Sequence, residues 1–401
     1  MDNLDKIFSS FINNNLFNNK SVLQSNYSPN NITHRDEQIS AIASILAPAL
    51  RGERASNLFV FGNTGCGKTL SVHYVCHKII QKLKEVGEEH LKFIYINCKL
   101  KKVADTEYRI VAEMINELGG KVPATGLPTD QVYEKFIELI DRKRQIIIIV
   151  LDEIDQAIKK IDDNFLYTLT RLNSSLKNAQ ISLIGISNSL TFMDHLDPRV
   201  RSSLGEEEIV FPAYHALQLQ DILRKRAEKA FKEGVLEEGV IAKCAAYAAR
   251  EHGDARRALD LLRVAGEIAE RENKDKILLE HIDSANQKIE RDKILDTIEG
   301  SPRQFQLVLS AIISLTQKNS EDGIFTGDVY SSYQEACKIT KNDILTQRRV
   351  SDILAELDMF GIINTRVISK GRQGRTREIK LMLSSNIKNK AREIIDKSLY
   401  I

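Results

Sequence analysis

The chain has 401 residues, enough for two or three domains, and its apolar content of 42% is ordinary for a globular protein and argues against disorder. The longest uninterrupted apolar run, Ile146–Leu151, is far shorter than the roughly 20 residues that span a bilayer, and the N-terminus lacks a basic-then-apolar signal. We therefore expect a soluble cytoplasmic protein with no membrane partner. Five scattered cysteines lack the spacing of a zinc site or a disulfide framework.

Residues 1–30, rich in Asn and Ser, predict an N-terminal arm with little regular structure of its own. Between residues 31 and 213, β-branched runs alternate with amphipathic segments. This alternation is typical of an α/β fold in which helices cover both faces of a parallel sheet. The predicted strands are Leu58–Phe61, Phe93–Asn97, Ile146–Leu151 and Ile181–Ser187.

The segment Gly62–Thr69, here called the P-loop, follows the first strand and has the pattern G-x-x-x-x-G-K-[ST]. This pattern predicts a phosphate-binding loop, because its glycines let successive backbone N–H groups surround phosphate oxygens. Lys68 supplies a charge toward the β and γ phosphates, and Thr69 offers a hydroxyl to Mg²⁺. We predict ATP or ADP with Mg²⁺ as the ligands, bound by Asn63, Thr64, Gly65, Cys66, Gly67, Lys68, Thr69 and Leu70.

Polar residues follow the two later strands of the predicted sheet. Asp152 and Glu153 come directly after the apolar run that ends at Leu151, where an aspartate can hold Mg²⁺ through water and a glutamate can polarise an attacking water. Asn188 follows the strand Ile181–Ser187, and we expect it to reach toward the γ-phosphate and orient water. Asp152 and Thr69 are the predicted metal-binding residues.

After Phe211 and Pro212 the strand pattern stops, and residues 214–299 predict a helical lid with helices near 216–233, 235–251, 254–272 and 279–298. Asp254 can cap the third of these helices, so that Arg256 lies in its first turn. A lid packed over the nucleotide would present Arg256 to the γ-phosphate, and Arg257 is the alternative.

Residues 300–401 predict a winged-helix domain with helices near 303–318, 326–338 and 346–359 and a hairpin of Ile362–Ser369 and Thr376–Met382. These residues carry 16 Lys and Arg against 11 Asp and Glu, whereas the preceding residues carry 41 against 44. The third helix buries an apolar i, i+3, i+4, i+7 set. Its outward-facing residues are Gln347, Arg348, Arg349, Ser351 and Asp352. The glutamine and the two arginines, near the start of the helix, suit base edges in a major groove, and Ser351 is a further predicted DNA contact.

The hairpin tip, Ser369–Arg377, carries four basic residues and no acidic one. Its glycines allow close approach to a duplex, so that an arginine of the tip could enter a minor groove. The predicted contacts with DNA from this segment are Lys370, Arg372, Arg375 and Arg377.

Together these features resemble the AAA+ ATPases and, among them, the archaeal origin-recognition initiators of the Orc/Cdc type. The resemblance runs over nearly the whole chain. The segments that carry it are His34–Gln38, the P-loop, Asn97–Lys99, Val122–Leu127, Leu151–Asp155, Ile186–Asn188, Asp197–Gly205, Ile209–Tyr214, Gly253–Asp260 and the winged helix. Cys66 departs from the family pattern at a position that contributes its backbone.

The resemblance implies a replication initiator that binds ATP tightly, hydrolyses it slowly as a switch, and holds double-stranded origin DNA. It places Asn31–Arg35 near the adenine and adds Arg35, Tyr214 and Arg226 to the nucleotide-binding set. It also makes Arg199 or Arg201 a candidate arginine finger that acts on a neighbour's nucleotide, and no feature of the sequence separates the two. An insertion near residues 98–127, with Lys121 and Pro123, would touch DNA. A paralogous initiator and the replicative helicase are the implied protein partners, and the nucleoid the implied location.

Two other functions fit parts of the pattern. A signalling or transcriptional ATPase of the STAND type combines a similar core with a winged helix but usually appends repeats or effector domains. A transposition-helper ATPase would normally lack the C-terminal hairpin module. Selective recovery of origin-proximal DNA would separate the initiator from both.

Overall fold

The computed structural model describes residues 15–25, 27–29, 31–99, 105–123, 126–318, 323–369 and 375–399. The chain divides into two compact units, Met1–Ile282 and Asp283–Ile401, and the division falls within the helix Leu279–Gly300. No helix of the described residues is both long enough and apolar enough to cross a membrane.

The first unit is built on a five-stranded parallel sheet with the order β2-β3-β4-β1-β5. Every residue of β1 and β3 is buried, as expected for strands with helices on both faces. The strands are β1 Asn57–Gly62, β2 Leu91–Asn97, β3 Gln145–Asp152, β4 Ala179–Ser187 and β5 Glu206–Phe211.

Helices cover both faces of this sheet and bury two apolar clusters, one against each face. The strand order brings the carboxyl ends of β3, β4 and β1 side by side, at the edge where parallel sheets bind their ligands. The helices of this part are Asp36–Leu46, Lys68–Glu85, Glu107–Glu117, Thr129–Ile140, Ile154–Ile161, Asn164–Arg171 and Pro198–Leu204.

Helices Ala216–Ala230, Val240–Arg250 and Ala255–Arg271 pack on one another and form the lid. The described part of the N-terminal arm contacts this lid: Phe17 stacks on Phe231 with ring centroids 4.7 Å apart, and the 3-10 turn Lys20–Leu23 packs beside it. The arm therefore obtains its structure from tertiary contacts, because its own sequence has no regular periodicity.

The second unit has its own apolar core. The helices Arg303–Lys318, Thr326–Thr340 and Gln347–Met359 surround it, with a three-stranded antiparallel sheet of order β6-β8-β7. The strands are β6 Ile324–Phe325, β7 Ile363–Ser369 and β8 Arg375–Leu381, and a further helix, Ser385–Leu399, follows. The predicted fold class is therefore confirmed for both parts.

Sequence patterning missed three elements. Strand β5 begins with Glu206, Glu207 and Glu208, and Ile209 and Phe211 are the buried residues among those of this edge strand whose burial is described, so its apolar signal is short. The two-residue strand β6 and the helix Ser385–Leu399 were also not predicted. Strand β8 begins at Arg375, so Arg375 and Arg377 lie in the strand. The sequence had placed both arginines in the tip of the hairpin.

Candidate nucleotide site and nucleic-acid interface

The P-loop joins β1 to the helix Lys68–Glu85 and encloses the lysine ammonium. Gly65 and Gly67 have φ of 72° and 92°, left-handed values that favour glycine. Lys68 Nζ donates hydrogen bonds to the carbonyl oxygens of Gly62 (2.8 Å) and Asn63 (2.9 Å) and to Asn188 Oδ1 (2.9 Å). The side chains predicted to meet the β and γ phosphates are therefore in contact, and burial lowers the pKa of Lys68.

Asp152, at the end of β3, faces the first turn of the P-loop helix. Thr69 Oγ1 donates to Asp152 Oδ2 at 3.0 Å, and the Tyr95 hydroxyl donates to the same oxygen at 2.6 Å. Asp152 Oδ1 accepts the backbone N–H of Glu153 at 2.9 Å. Burial of the hydroxyl is the main cause that raises the pKa of Tyr95, and the hydrogen bond to Asp152 raises it further. Hydroxyl and carboxylate oxygens are the ligands that Mg²⁺ prefers.

Glu153 is the N-cap residue of the helix Ile154–Ile161 and has φ 54°, a left-handed value that non-glycine residues rarely adopt outside special sites. Its carboxylate is 21% exposed, and Oε2 lies 3.6 Å from Lys99 Nζ. The side chain therefore lines the cleft beside Asp152, where a water-polarising carboxylate is required.

The lid meets the P-loop through the start of the helix Ala255–Arg271. Asp254 caps this helix by accepting the backbone N–H of Arg256 at 2.7 Å, and Ala255 N–H donates to the carbonyl of Gly65 at 3.3 Å. Arg256 lines the cleft, whereas Arg257 pairs with Glu251 at 3.3 Å. The geometry therefore favours Arg256 over Arg257 as the cation that faces the nucleotide.

Arg35 lies behind the P-loop and does not line the cleft. Its side chain is 2% exposed, and it donates to the carbonyls of Cys66 (2.9 Å) and Pro212 (2.6 Å). The guanidinium stacks on Tyr214, 3.8 Å from the ring centroid. Arg35 thus supports the P-loop and the start of the lid, while Tyr214 itself lines the cleft.

Arg226 extends from the lid toward the N-terminal arm. It donates to the carbonyls of Val22 (3.2 Å) and Tyr27 (3.4 Å), and its guanidinium stands 4.5 Å from the centroid of the Tyr27 ring. Burial lowers its pKa. Arg226 lines the cleft and also holds the arm segment, in which Tyr27 is a further lining residue.

The cleft has a volume of about 720 Å³, within the usual range of small-molecule sites. Phosphates fit the P-loop glycines and Lys68, and a hard cation fits the Thr69 and Asp152 oxygens. Among the predicted residues, Asn63 and Cys66 do not line the cleft, and their carbonyl oxygens accept hydrogen bonds from Lys68 and Arg35. The side chains or backbones that line the cleft include Thr64, Gly65, Gly67, Lys68, Thr69, Leu70, Asp152, Glu153, Asn188, Tyr214, Arg226 and Arg256.

Tyr95 and His73 are among the residues of this cleft that sequence reasoning missed. Their rings pack together with centroids 4.4 Å apart. The position of Tyr95, two residues before the end of β2, is a signal that could have been used, because the carboxyl ends of parallel strands share one edge. His73 lies one turn beyond Thr69 on the same helix face.

The two arginine-finger candidates lie on the helix Pro198–Leu204, outside the cleft. The Arg199 side chain is 86% exposed and is paired with Asp197 at 3.1 Å. Arg201 is half-exposed, 3.7 Å from Asp194. Both guanidinium groups can be reached from outside the chain, and the choice between them stays open.

In the second unit, the helix Gln347–Met359 presents a polar face. Val350, Leu354 and Leu357 are fully buried, as their spacing predicts, and Thr346 accepts the backbone N–H of Arg349 at the helix start. Gln347, Arg348 and Arg349 are exposed and Ser351 is half-buried. Arg349 is 3.4 Å from Asp352, an exposed pair that a phosphate could replace.

Of the other predicted DNA contacts, Lys121 and Pro123 are exposed after the helix Glu107–Glu117, and the Pro123 carbonyl accepts the Tyr108 hydroxyl at 2.5 Å. Arg377 is half-buried in β8, opposite Val367. The backbone of Arg375 begins β8, but its side chain lies outside the described residues, as do Lys370 and Arg372.

Comparison with known families gives three matches along the chain. Residues 51–193 match an AAA domain, residues 220–287 the Cdc6 AAA+ ATPase-type lid domain, and residues 296–391 the CDC6 C-terminal winged helix domain. The fold and the site therefore define an AAA+ ATPase that binds a nucleotide with a divalent metal.

The chain is 52% identical over 386 residues to an ORC1-type DNA replication protein of Pyrococcus abyssi, covering 94% of this chain and 90% of that protein. It is 50% identical to ORC1-type DNA replication protein 1 of Methanosarcina acetivorans, covering 94% and 91%. Among solved structures, the Aeropyrum pernix ORC1 protein in complex with DNA is 43% identical with a TM-score of 0.82, covering 95% and 97%.

The chain belongs to the family of ORC1-type DNA replication proteins, archaeal Orc1/Cdc6 initiators with an AAA+ core, a lid and a winged helix. It is a replication initiator. Membership of this family over almost the whole chain excludes the STAND-type regulator and the transposition helper as its class.

Proposed function

We propose that this initiator binds ATP with Mg²⁺ in the cleft at the sheet edge, holds double-stranded origin DNA with its second unit and the segment around Lys121, and uses slow hydrolysis as a switch. One observation carries the proposal. Lys68, Asn188 and Asp152 converge at the carboxyl edge of the sheet, and Arg256 enters the same cleft from the lid.

Each residue has a role that follows from its position. Lys68 and the P-loop N–H groups hold the phosphates, and Thr69 with Asp152 holds the metal. When bound, Mg²⁺ would neutralise charge on the transferred phosphoryl group. Glu153 polarises water, Asn188 orients it, and Arg256 stabilises charge at the γ-phosphate. The direct link from the lid to Gly65 would make the lid position sensitive to the nucleotide.

Support for the DNA part comes from the similar Aeropyrum pernix protein, whose structure contains bound DNA, and from the exposed polar face of the helix Gln347–Met359. Gln347, Arg348 and Arg349 would reach base edges or phosphates, with Ser351 beside them. The DNA backbone would be held by Lys121, Pro123 and the arginines of the hairpin. A paralogous initiator on adjacent DNA and the replicative helicase are the proposed protein partners, on chromosomal DNA.

Separation of nucleotide binding from turnover tests the cleft. We expect Lys68→Ala to weaken ATP binding about 100-fold, which corresponds to about 2.7 kcal/mol, because the phosphates lose their cation. Glu153→Gln should retain binding and lose turnover, because the amide cannot accept a proton. Filter binding and phosphate release measure the two effects. Normal hydrolysis by Glu153→Gln would show that another group polarises the water.

A further inference from the structure

We infer that Tyr95 is a positioning residue for the metal site: its hydroxyl fixes the orientation of the Asp152 carboxylate before the cation binds. The inference rests on the proposed role of Asp152 in holding Mg²⁺ and adds a residue to that site. Tyr95 is not part of the P-loop or of the segment that contains Asp152, and it reaches the carboxylate from a different strand.

The register of the sheet makes this contact possible. Tyr95 on β2 lies opposite Val150 on β3, and Asn97 lies opposite Asp152. Val150 and Asp152 are two residues apart and share a face of the strand, so Asp152 is the diagonal neighbour of Tyr95. A long aromatic side chain spans that diagonal distance, and the oxygen-to-oxygen distance is 2.6 Å.

The ring itself is held in place. Tyr95 is half-buried, and its ring packs against His73, with centroids 4.4 Å apart. His73 follows Thr69 by four residues on the P-loop helix and therefore lies on the same face. Thr69 donates to the same Asp152 oxygen as Tyr95 does. Strand β2 and the P-loop helix thus approach the carboxylate together.

These contacts restrict the carboxylate to one orientation. Oδ2 accepts two hydroxyls, and Oδ1 accepts only the backbone N–H of the next residue among the hydrogen bonds described. A free carboxylate would lose rotational freedom when it binds a cation, whereas this one is already fixed. Partners of this kind, which orient a metal-binding group without touching the metal, typically change metal affinity about 10- to 100-fold.

The test uses the full-length protein with ADP and Mn²⁺ as a paramagnetic probe for the cation. Free Mn²⁺ measured by electron paramagnetic resonance gives the affinity without any turnover. We expect Tyr95→Phe to weaken Mn²⁺ binding to the ADP-bound protein about tenfold. ADP binding in excess EDTA should be unchanged, because the ring and the P-loop remain.

Two controls separate the hydroxyl from the ring. Tyr74→Phe removes a hydroxyl from the same helix as His73, on a ring that faces Lys78, and should bind Mn²⁺ normally. Tyr95→Leu removes ring and hydroxyl together. Normal Mn²⁺ affinity in Tyr95→Phe, with impairment only in Tyr95→Leu, would show that Tyr95 acts by packing and would overturn the inference.

Asp152→Asn distinguishes failure of the inference from failure of the proposed site. If Asp152 holds the cation, this variant should lose most Mn²⁺ affinity whatever Tyr95 does. Retained affinity in Asp152→Asn would overturn the metal assignment itself. Loss in Asp152→Asn together with unchanged affinity in Tyr95→Phe would overturn only the role of Tyr95.

Discussion

At the scale of single residues, adjacent arginines have different roles because of the partners that the fold gives them. Arg256 and Arg257 occupy the first turn of one helix, and sequence alone gives only a weak preference for which of them faces the nucleotide. Arg256 lines the nucleotide cleft, whereas the Arg257 side chain is 11% exposed and pairs with Glu251. A helix turns about 100° per residue, so neighbouring side chains face different surroundings.

This difference predicts opposite results for two matched substitutions. Arg256→Ala should lower ATP hydrolysis about 100-fold, since a preorganised cation at developing charge contributes on this order, and leave thermal stability nearly unchanged. Arg257→Ala should retain hydrolysis and lower the melting temperature, because it leaves a partly buried pair broken. Phosphate release and calorimetry measure the two effects. The reverse pattern would assign the nucleotide contact to Arg257.

At the scale of elements, Arg35 joins the P-loop to the start of the lid. The resemblance to the initiators places it near the adenine, but its guanidinium is bonded to the Cys66 and Pro212 carbonyls and stacked on Tyr214. Asn31, Ile32 and Thr33 line the cleft in its place. The local sequence pattern could not reveal the supporting role of Arg35, because its carbonyl partners lie 31 and 177 residues away in the sequence.

Arg35→Ala should therefore lower the free energy of unfolding by about 3 kcal/mol, because buried carbonyls lose their donors. Arg51→Ala removes an arginine whose side chain is 73% exposed, and it should change the free energy of unfolding by less than about 0.5 kcal/mol. Urea denaturation measures both. Weaker nucleotide binding by Arg35→Ala with unchanged stability would instead indicate direct contact with the ligand.

The helix Gln347–Met359 gives a second test at this scale. Arg348→Ala should weaken binding to duplex DNA and reduce the slope of log affinity against log salt by about one, if the guanidinium meets a phosphate. Lys390→Ala removes an equal charge from the exposed face of the helix Ser385–Leu399 and should leave the slope unchanged. Equal effects of both substitutions would indicate attraction by overall charge.

At the scale of the whole molecule, each unit has a core of its own. Ile148 belongs to an apolar cluster packed against the sheet of the first unit, and Leu354 belongs to a separate apolar cluster in the second unit. All described residues that line the nucleotide cleft belong to the first unit. Ligand binding stabilises the unit that holds the site by mass action.

We therefore expect calorimetry to resolve two unfolding transitions. ADP with Mg²⁺ at about 100 times its dissociation constant should stabilise one of them by about 2.7 kcal/mol. The other should keep its midpoint, and Lys68→Ala, which weakens binding about 100-fold, should reduce the shift to about 0.4 kcal/mol. A single transition that moves as a whole would show that the two cores unfold as one cooperative unit.

The sequence by itself determined the P-loop, the acidic end of β3, the polar end of β4 and the apolar face of the helix Gln347–Met359. Each depends on residues close together in the chain, where backbone conformation and side-chain periodicity are local properties. Tertiary structure decided the choice of Arg256, the support by Arg35, the edge strand β5 and the contact from Tyr95 to Asp152. These depend on which distant atoms come within a few ångströms, and only the packed sheet and lid specify that.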